Sequence, residues 1–164
     1  LNKEFIGQKN FFSKLCGYFR EKISNDEKGI LLLVGSKDTF KKASVRFIFQ
    51  ELKESEVIKN GEVDDIDLSE YSFNLGYNAF LTDLYEKLNN DSKCIIFKNT
   101  DMASEEILSL LSKIRPNSCL PLKNEYILKN KFMIEAEAND NTEKINAFLC
   151  HNKFFVFVYN NYND

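Results

Sequence analysis

Residues 30–34 read Ile-Leu-Leu-Leu-Val, an uncharged apolar run that stops at Gly35 and gives way, from Lys41, to a stretch with helical periodicity. A short apolar run bounded by turn residues predicts a strand buried on both faces, which is the habit of parallel sheets. The same alternation repeats along the chain. Strands are expected over 30–34, 62–68, 94–97, 132–138 and 153–159, and helices over 8–22, 41–53, 75–88 and 104–113. Helical spacing puts Phe11, Phe12, Leu15 and Phe19 on one face of the first helix, Val45, Ile48, Phe49 and Leu52 on one face of the second, and Phe80, Leu81, Leu84 and Leu88 on one face of the third. Ser104, followed by Glu105 and Glu106, is an N-cap with acids in the first turn. Asn60-Gly61 and Arg115-Pro116-Asn117 punctuate the chain as turn and breaker. Strand alternating with helix predicts an α/β fold, a three-layer sandwich around a parallel five-stranded sheet.

At 164 residues, 43% of them hydrophobic and with 15 Phe and 7 Tyr, the chain has enough apolar surface for one core. No repeat, heptad run or low-complexity linker divides it, so residues 1–164 read as one domain. A net charge of -3 offers no electrostatic footprint for nucleic acid or an anionic membrane. No apolar run approaches the roughly 20 residues of a membrane helix, and the amino terminus lacks a signal-peptide pattern. Cys16, Cys94, Cys119 and Cys150 show no metal-ligand spacing. They read as reduced thiols in a cytoplasmic compartment.

The turn after the first strand runs Gly35-Ser36-Lys37-Asp38-Thr39-Phe40-Lys41-Lys42. A phosphate-binding loop reads G-x-x-x-x-G-K-[ST] at this place, because glycines let backbone N–H groups wrap the phosphates, lysine reaches them, and the hydroxyl ligates Mg²⁺. Gly35 and Lys41 keep the spacing, but Phe40 stands for the second glycine and Lys42 for the hydroxyl. Phe40 resists the positive φ that glycine accepts and puts a ring where phosphate would lie. The bland alternative is an ordinary strand-to-helix connection with a lysine-rich, solvated helix start.

Further motifs follow in the order found in the Clp-type AAA+ ATPases, the unfoldase and disaggregase family, and the chain resembles the large subdomain of one such module. Phe5-Ile6-Gly7-Gln8 looks like the segment lining the adenine pocket. Asp65-Ile66-Asp67-Leu68-Ser69-Glu70-Tyr71 resembles the second strand with its D-[LM]-S-E-Y exit, the most specific match. Cys94-Ile95-Ile96-Phe97-Lys98-Asn99 falls where the Walker B strand ends in Asp-Glu. Residues 130–139 resemble the sensor-1 strand, and Phe148-Leu149-Cys150-His151 resembles the F-L-N-R stretch, with His151 at the arginine-finger position.

The resemblance thus implies a P-loop NTPase fold of AAA+ type whose catalytic parts are replaced. Lys98 and Asn99 bring no negative charge where one acid joins the Mg²⁺ shell and the next polarises water. A mostly neutral histidine is a poor arginine finger. Expected from this are no catalytic residue and no metal, no ATP turnover, at most weak ATP or ADP binding, and action through other protein subunits such as a Clp-type ring. The helical small subdomain of the family is expected to be absent. Two alternatives stay open: a clamp-loader-like AAA+ subunit, and an active but atypical Clp ATPase with an acid from another strand, such as Glu135 or Glu137. In the family's sheet the sensor-1 strand lies between the P-loop and Walker B strands, so Lys98 or Lys41 is expected to pair with Glu135 or Glu137, unless these glutamates lie in solvent. Tyr77, after Gly76, is either a remnant of the aromatic pore loop or a packing residue. Cys150-His151 is not expected to be a dyad, since neighbours on extended chain point to opposite sides.

Overall fold

The computed structural model describes residues 9–35, 41–59, 62–71, 76–88, 90–114 and 153–160. In chain order these form α1 (Lys9–Ser24), β1 (Ile30–Gly35), α2 (Lys41–Glu54), β2 (Val63–Asp67), the single turn α3 (Leu68–Glu70), α4 (Gly76–Leu88), β3 (Cys94–Lys98), a 3₁₀ turn at Thr100–Met102, α5 (Glu105–Leu111) and β4 (Phe154–Asn160). The described strands make one sheet in the order β1-β4-β3-β2, and every pairing is parallel.

Alternation along the strands divides the core in two. Ile95 and Phe97 of β3 and Phe155 of β4 point to the side covered by α4 and α5, where Phe80, Leu84, Ile107 and Leu111 are buried. Cys94 and Ile96 of β3, with Phe154, Val156 and Val158 of β4, point to the side of α1 and α2, against Phe19, Ile48, Phe49 and Leu52. Helices on both faces require strands apolar on both sides, and each fully buried large side chain contributes about 1.5–3 kcal/mol. Phe19, Phe49 and Phe154 meet edge-on, with ring centroids 4.9–5.8 Å apart. Phe97 stacks on Phe157 at 4.8 Å. Ser104 caps α5 as its sequence predicts, accepting from the Ile107 N–H at 3.3 Å.

Three expectations change. The slot between β1 and β3 is held by β4, the segment expected to come fifth, and not by residues 130–139. That slot is flanked by strands on both sides and covered on both faces. Phe154-Phe155-Val156-Phe157-Val158 suits it, whereas the alternating Glu135 and Glu137 would bury two carboxylates. Residues 130–139 lie outside the described residues, as do Phe5, Ile6, Gly7, Gln8, Phe40 and His151. Second, β1 is not buried throughout: Leu33 is 6% exposed, but Leu32 and Val34 are 61% and 55% exposed. Third, Lys41 is buried in the first turn of α2 instead of lying on a solvated surface.

Candidate functional site at the carboxyl ends of the strands

In a parallel sheet all carboxyl ends lie along one edge, where open α/β folds place their ligands. Here β1 ends at Gly35, β4 at Asn160, β3 at Lys98 and β2 at Asp67, with Gly35 opposite Asn160 and Asp67 opposite Lys98. Gly35, Lys41, Lys42, Lys98 and Asn99, all singled out in the sequence, are therefore brought to one edge.

Asn99 is the hinge of this edge. It leaves β3 in the left-handed region, with φ 56° and ψ 44°, which Asn tolerates better than most side chains. Its Nδ2 donates to Asp67 Oδ1 at 2.8 Å, and its Oδ1 accepts from Asn160 Nδ2 at 2.9 Å. The same Asp67 oxygen caps α3, accepting from the Ser69 N–H at 3.1 Å and the Ser69 hydroxyl at 2.6 Å. Burial pushes the Asp67 carboxyl up, but the Ser69 and Asn99 hydrogen bonds and the Lys98 charge outweigh it and hold the group below its ordinary range. Asn160 is buried, and its backbone N–H donates to Asp101 Oδ1 at 3.0 Å. The ends of β2, β3 and β4 are thereby joined by side chains.

The two lysines of the loop motif part company. Lys41 is 4% exposed, and burial lowers its pKa against the opposing attraction of Asp101. Lys42 turns to β2, with Nζ 2.8 Å from Asp65 Oδ2. Arg46 meets the same oxygen at 2.7 Å through Nη2 and donates to the Val63 carbonyl at 2.8 Å through Nη1. Burial raises the Asp65 pKa, yet the Lys42 and Arg46 hydrogen bonds and the charges of Lys42 and Lys98 bring it below the ordinary value. Lys98 is half-buried beside Asp65 and Asp67, so a lysine at the end of β3 has acids available from β2. The pairing expected with Glu135 or Glu137 lies outside the described residues.

No motif in the sequence singles out Asp101 or Asn160 as a site residue, and Asp67 stands there only as part of a motif. The signal for Asn160 was its place at the end of an apolar strand, one residue past the expected boundary. Tyr77 is half-buried against the α4/α5 core, with its ring 6.4 Å from Phe80, so it packs. Cys94 is buried and Cys16 half-buried, both as free thiols, and burial raises the Cys94 pKa. Among the described residues no group of three or more His, Cys, Asp or Glu side chains is placed to hold a metal ion, and no helix is long and apolar enough to cross a membrane.

Comparisons with protein-family models, curated proteins and solved structures returned no match.

Proposed function

We propose that this chain is a pseudo-ATPase module of Clp-like AAA+ type that turns over no ATP and acts through assembly with other protein subunits. The carrying observation is the use made of Asn99. At the position where the resemblance puts the water-polarising glutamate, both ends of its amide are committed, to Asp67 on one side and Asn160 on the other. An amide accepts no proton at neutral pH, and turning it toward a ligand would break two part-buried hydrogen bonds. The residues also do not fit a Mg²⁺–nucleotide at the loop motif: in place of a hydroxyl, Lys42 brings a positive charge, already engaged with Asp65.

In this reading the sheet has a fifth strand, and the β1 edge suits it. The opposite edge, β2, carries Asp64, Asp65 and Asp67, the charges with which sheets discourage further pairing, whereas β1 is apolar from Ile30 to Val34. The free thiols of Cys16 and Cys94 fit a reducing, cytoplasmic setting.

The test is phosphate release from Mg²⁺-ATP, with calorimetric titration of ATP and ADP in the presence and absence of Mg²⁺. The expected result is no turnover above buffer and no Mg²⁺-dependent binding. Mg²⁺-dependent turnover abolished by Lys41→Ala would overturn the reading in favour of an atypical ATPase.

A further inference from the structure

At the other edge of the sheet, where the strands begin, Lys153 is 2% exposed, and four oxygens surround its Nζ. It donates to the Ser92 carbonyl at 2.6 Å, the Asn90 carbonyl at 2.9 Å, the Ser92 hydroxyl at 3.0 Å and Asn90 Oδ1 at 3.0 Å. The turn holding those oxygens is itself fixed. Asn90 Oδ1 accepts from the Ser92 N–H at 2.9 Å, Asn90 Nδ2 donates to Asp64 of β2, and the Lys93 N–H donates to the Glu62 carbonyl at 3.0 Å. A buried ammonium is costly unless its protons are used, and here its three N–H groups face four acceptors.

The strand that follows has a problem that this arrangement solves. In most strands a one-residue slip exchanges apolar and polar faces, which specifies the register. From Phe154 to Tyr159 every side chain of β4 is apolar or aromatic, and β4 is covered on both faces by helices. A slip would still present apolar groups to both cores. Polarity distinguishes one register from the next only at the ends, at Lys153 and Asn160. In the observed register Phe155 lies opposite both Ile30 and Ile95, and Asn160 reaches Asn99 and Asp101.

We propose that Lys153 is a positioning residue: its ammonium pins the start of β4 to the Asn90–Ser92 turn, sets the register of β4 between β1 and β3, and so delivers Asn160 to the site. The two ends of the strand are about 23 Å apart at the usual rise of a parallel strand, so the effect passes along the backbone and not by contact. This inference rests on the hydrogen bonds at the two sheet edges and is independent of whether the module binds nucleotide.

The test is ¹H–¹⁵N NMR with amide exchange on the whole chain, reading the backbone and side-chain amides of Asn160. Lys153→Met keeps most of the side-chain volume and removes the donors. It is expected to shift both Asn160 amides and to speed exchange of the Asn160 N–H at least about tenfold, as local opening of the strand end requires. In Lys153→Ala, added propylammonium, which restores N–H donors, is expected to return the Asn160 signals toward wild type, while tetramethylammonium at equal ionic strength is not. Asn160→Ala, which leaves the pin intact, is expected to keep wild-type amide protection at Phe154 and Phe155. Unchanged Asn160 amides in Lys153→Met would overturn the proposal. So would loss of Phe154 and Phe155 protection in Asn160→Ala, which would assign the register to the other end. That variant can overturn the proposal even if neither Lys153 variant folds.

Discussion

Asn99 does three jobs at once. It occupies a left-handed backbone position, donates to Asp67 and accepts from Asn160. Asn99→Ala removes both hydrogen bonds and leaves at φ 56° a side chain without the polar group that makes asparagine tolerant of the left-handed region. It is therefore expected to cost about 1–3 kcal/mol, seen as a lowered denaturant midpoint with unchanged slope. Asn99→Gly keeps the backbone freedom and loses only the bonds, so it should fall between wild type and Ala. Equal loss in both would show that the backbone contributes nothing. Lys41 shows why residue type alone misleads: lysine at a helix start usually means solvent, but in the first turn of α2 it is buried, near Asp101.

At the scale of elements, the two edges of the described sheet differ in kind. β2 meets its surroundings with Asp64 and Asp65, each matched to a basic group, with Lys87 3.7 Å from Asp64 and Lys42 2.8 Å from Asp65. β1 exposes Leu32 and Val34. Replacing either by Thr should change stability by no more than about 0.5 kcal/mol, whereas Ile96→Ala in β3 should cost about 2–5 kcal/mol. Chemical denaturation of the three variants checks the contrast. A large loss at Leu32 or Val34 would mean that the β1 face is covered. Helices were easier to place than strand neighbours: α2 and α4 begin at Lys41 and Gly76, within a residue of expectation, because 3.6-residue periodicity is written along a single segment. Strand order is not. It depends on segments far apart in sequence, and two apolar runs compete for one slot until burial decides between them.

For the molecule as a whole, the shifted groups determine how stability changes with pH. The folded pKa values of Asp65 and Asp67 lie below the ordinary carboxylate value, so their contribution is present at neutral pH and is lost as pH falls through and below that range. Burial pushes Lys153 down to about 8, with Lys93 adding to the effect and Asp64, Asp91 and Cys94 opposing it. A lysine whose folded pKa is below its unfolded one binds fewer protons when folded, so stability should rise between pH 8 and the ordinary lysine value, at up to about 1.4 kcal/mol per pH unit. Thermal melts from pH 7 to 10 should show that rise in wild type relative to Lys153→Met. Parallel slopes would mean that Lys153 titrates normally. Composition and periodicity alone determined the α/β class, the helix faces and the apolar strands, because each is a local property of chain geometry and burial. Only the tertiary structure decided that β4 lies between β1 and β3, that Lys42 turns to Asp65, and that Asn99 is shared by Asp67 and Asn160. The side-chain contacts join residues up to 61 positions apart and the β1–β4 pairing residues farther apart still, and no spacing along the chain records which of several groups will meet once the core has closed.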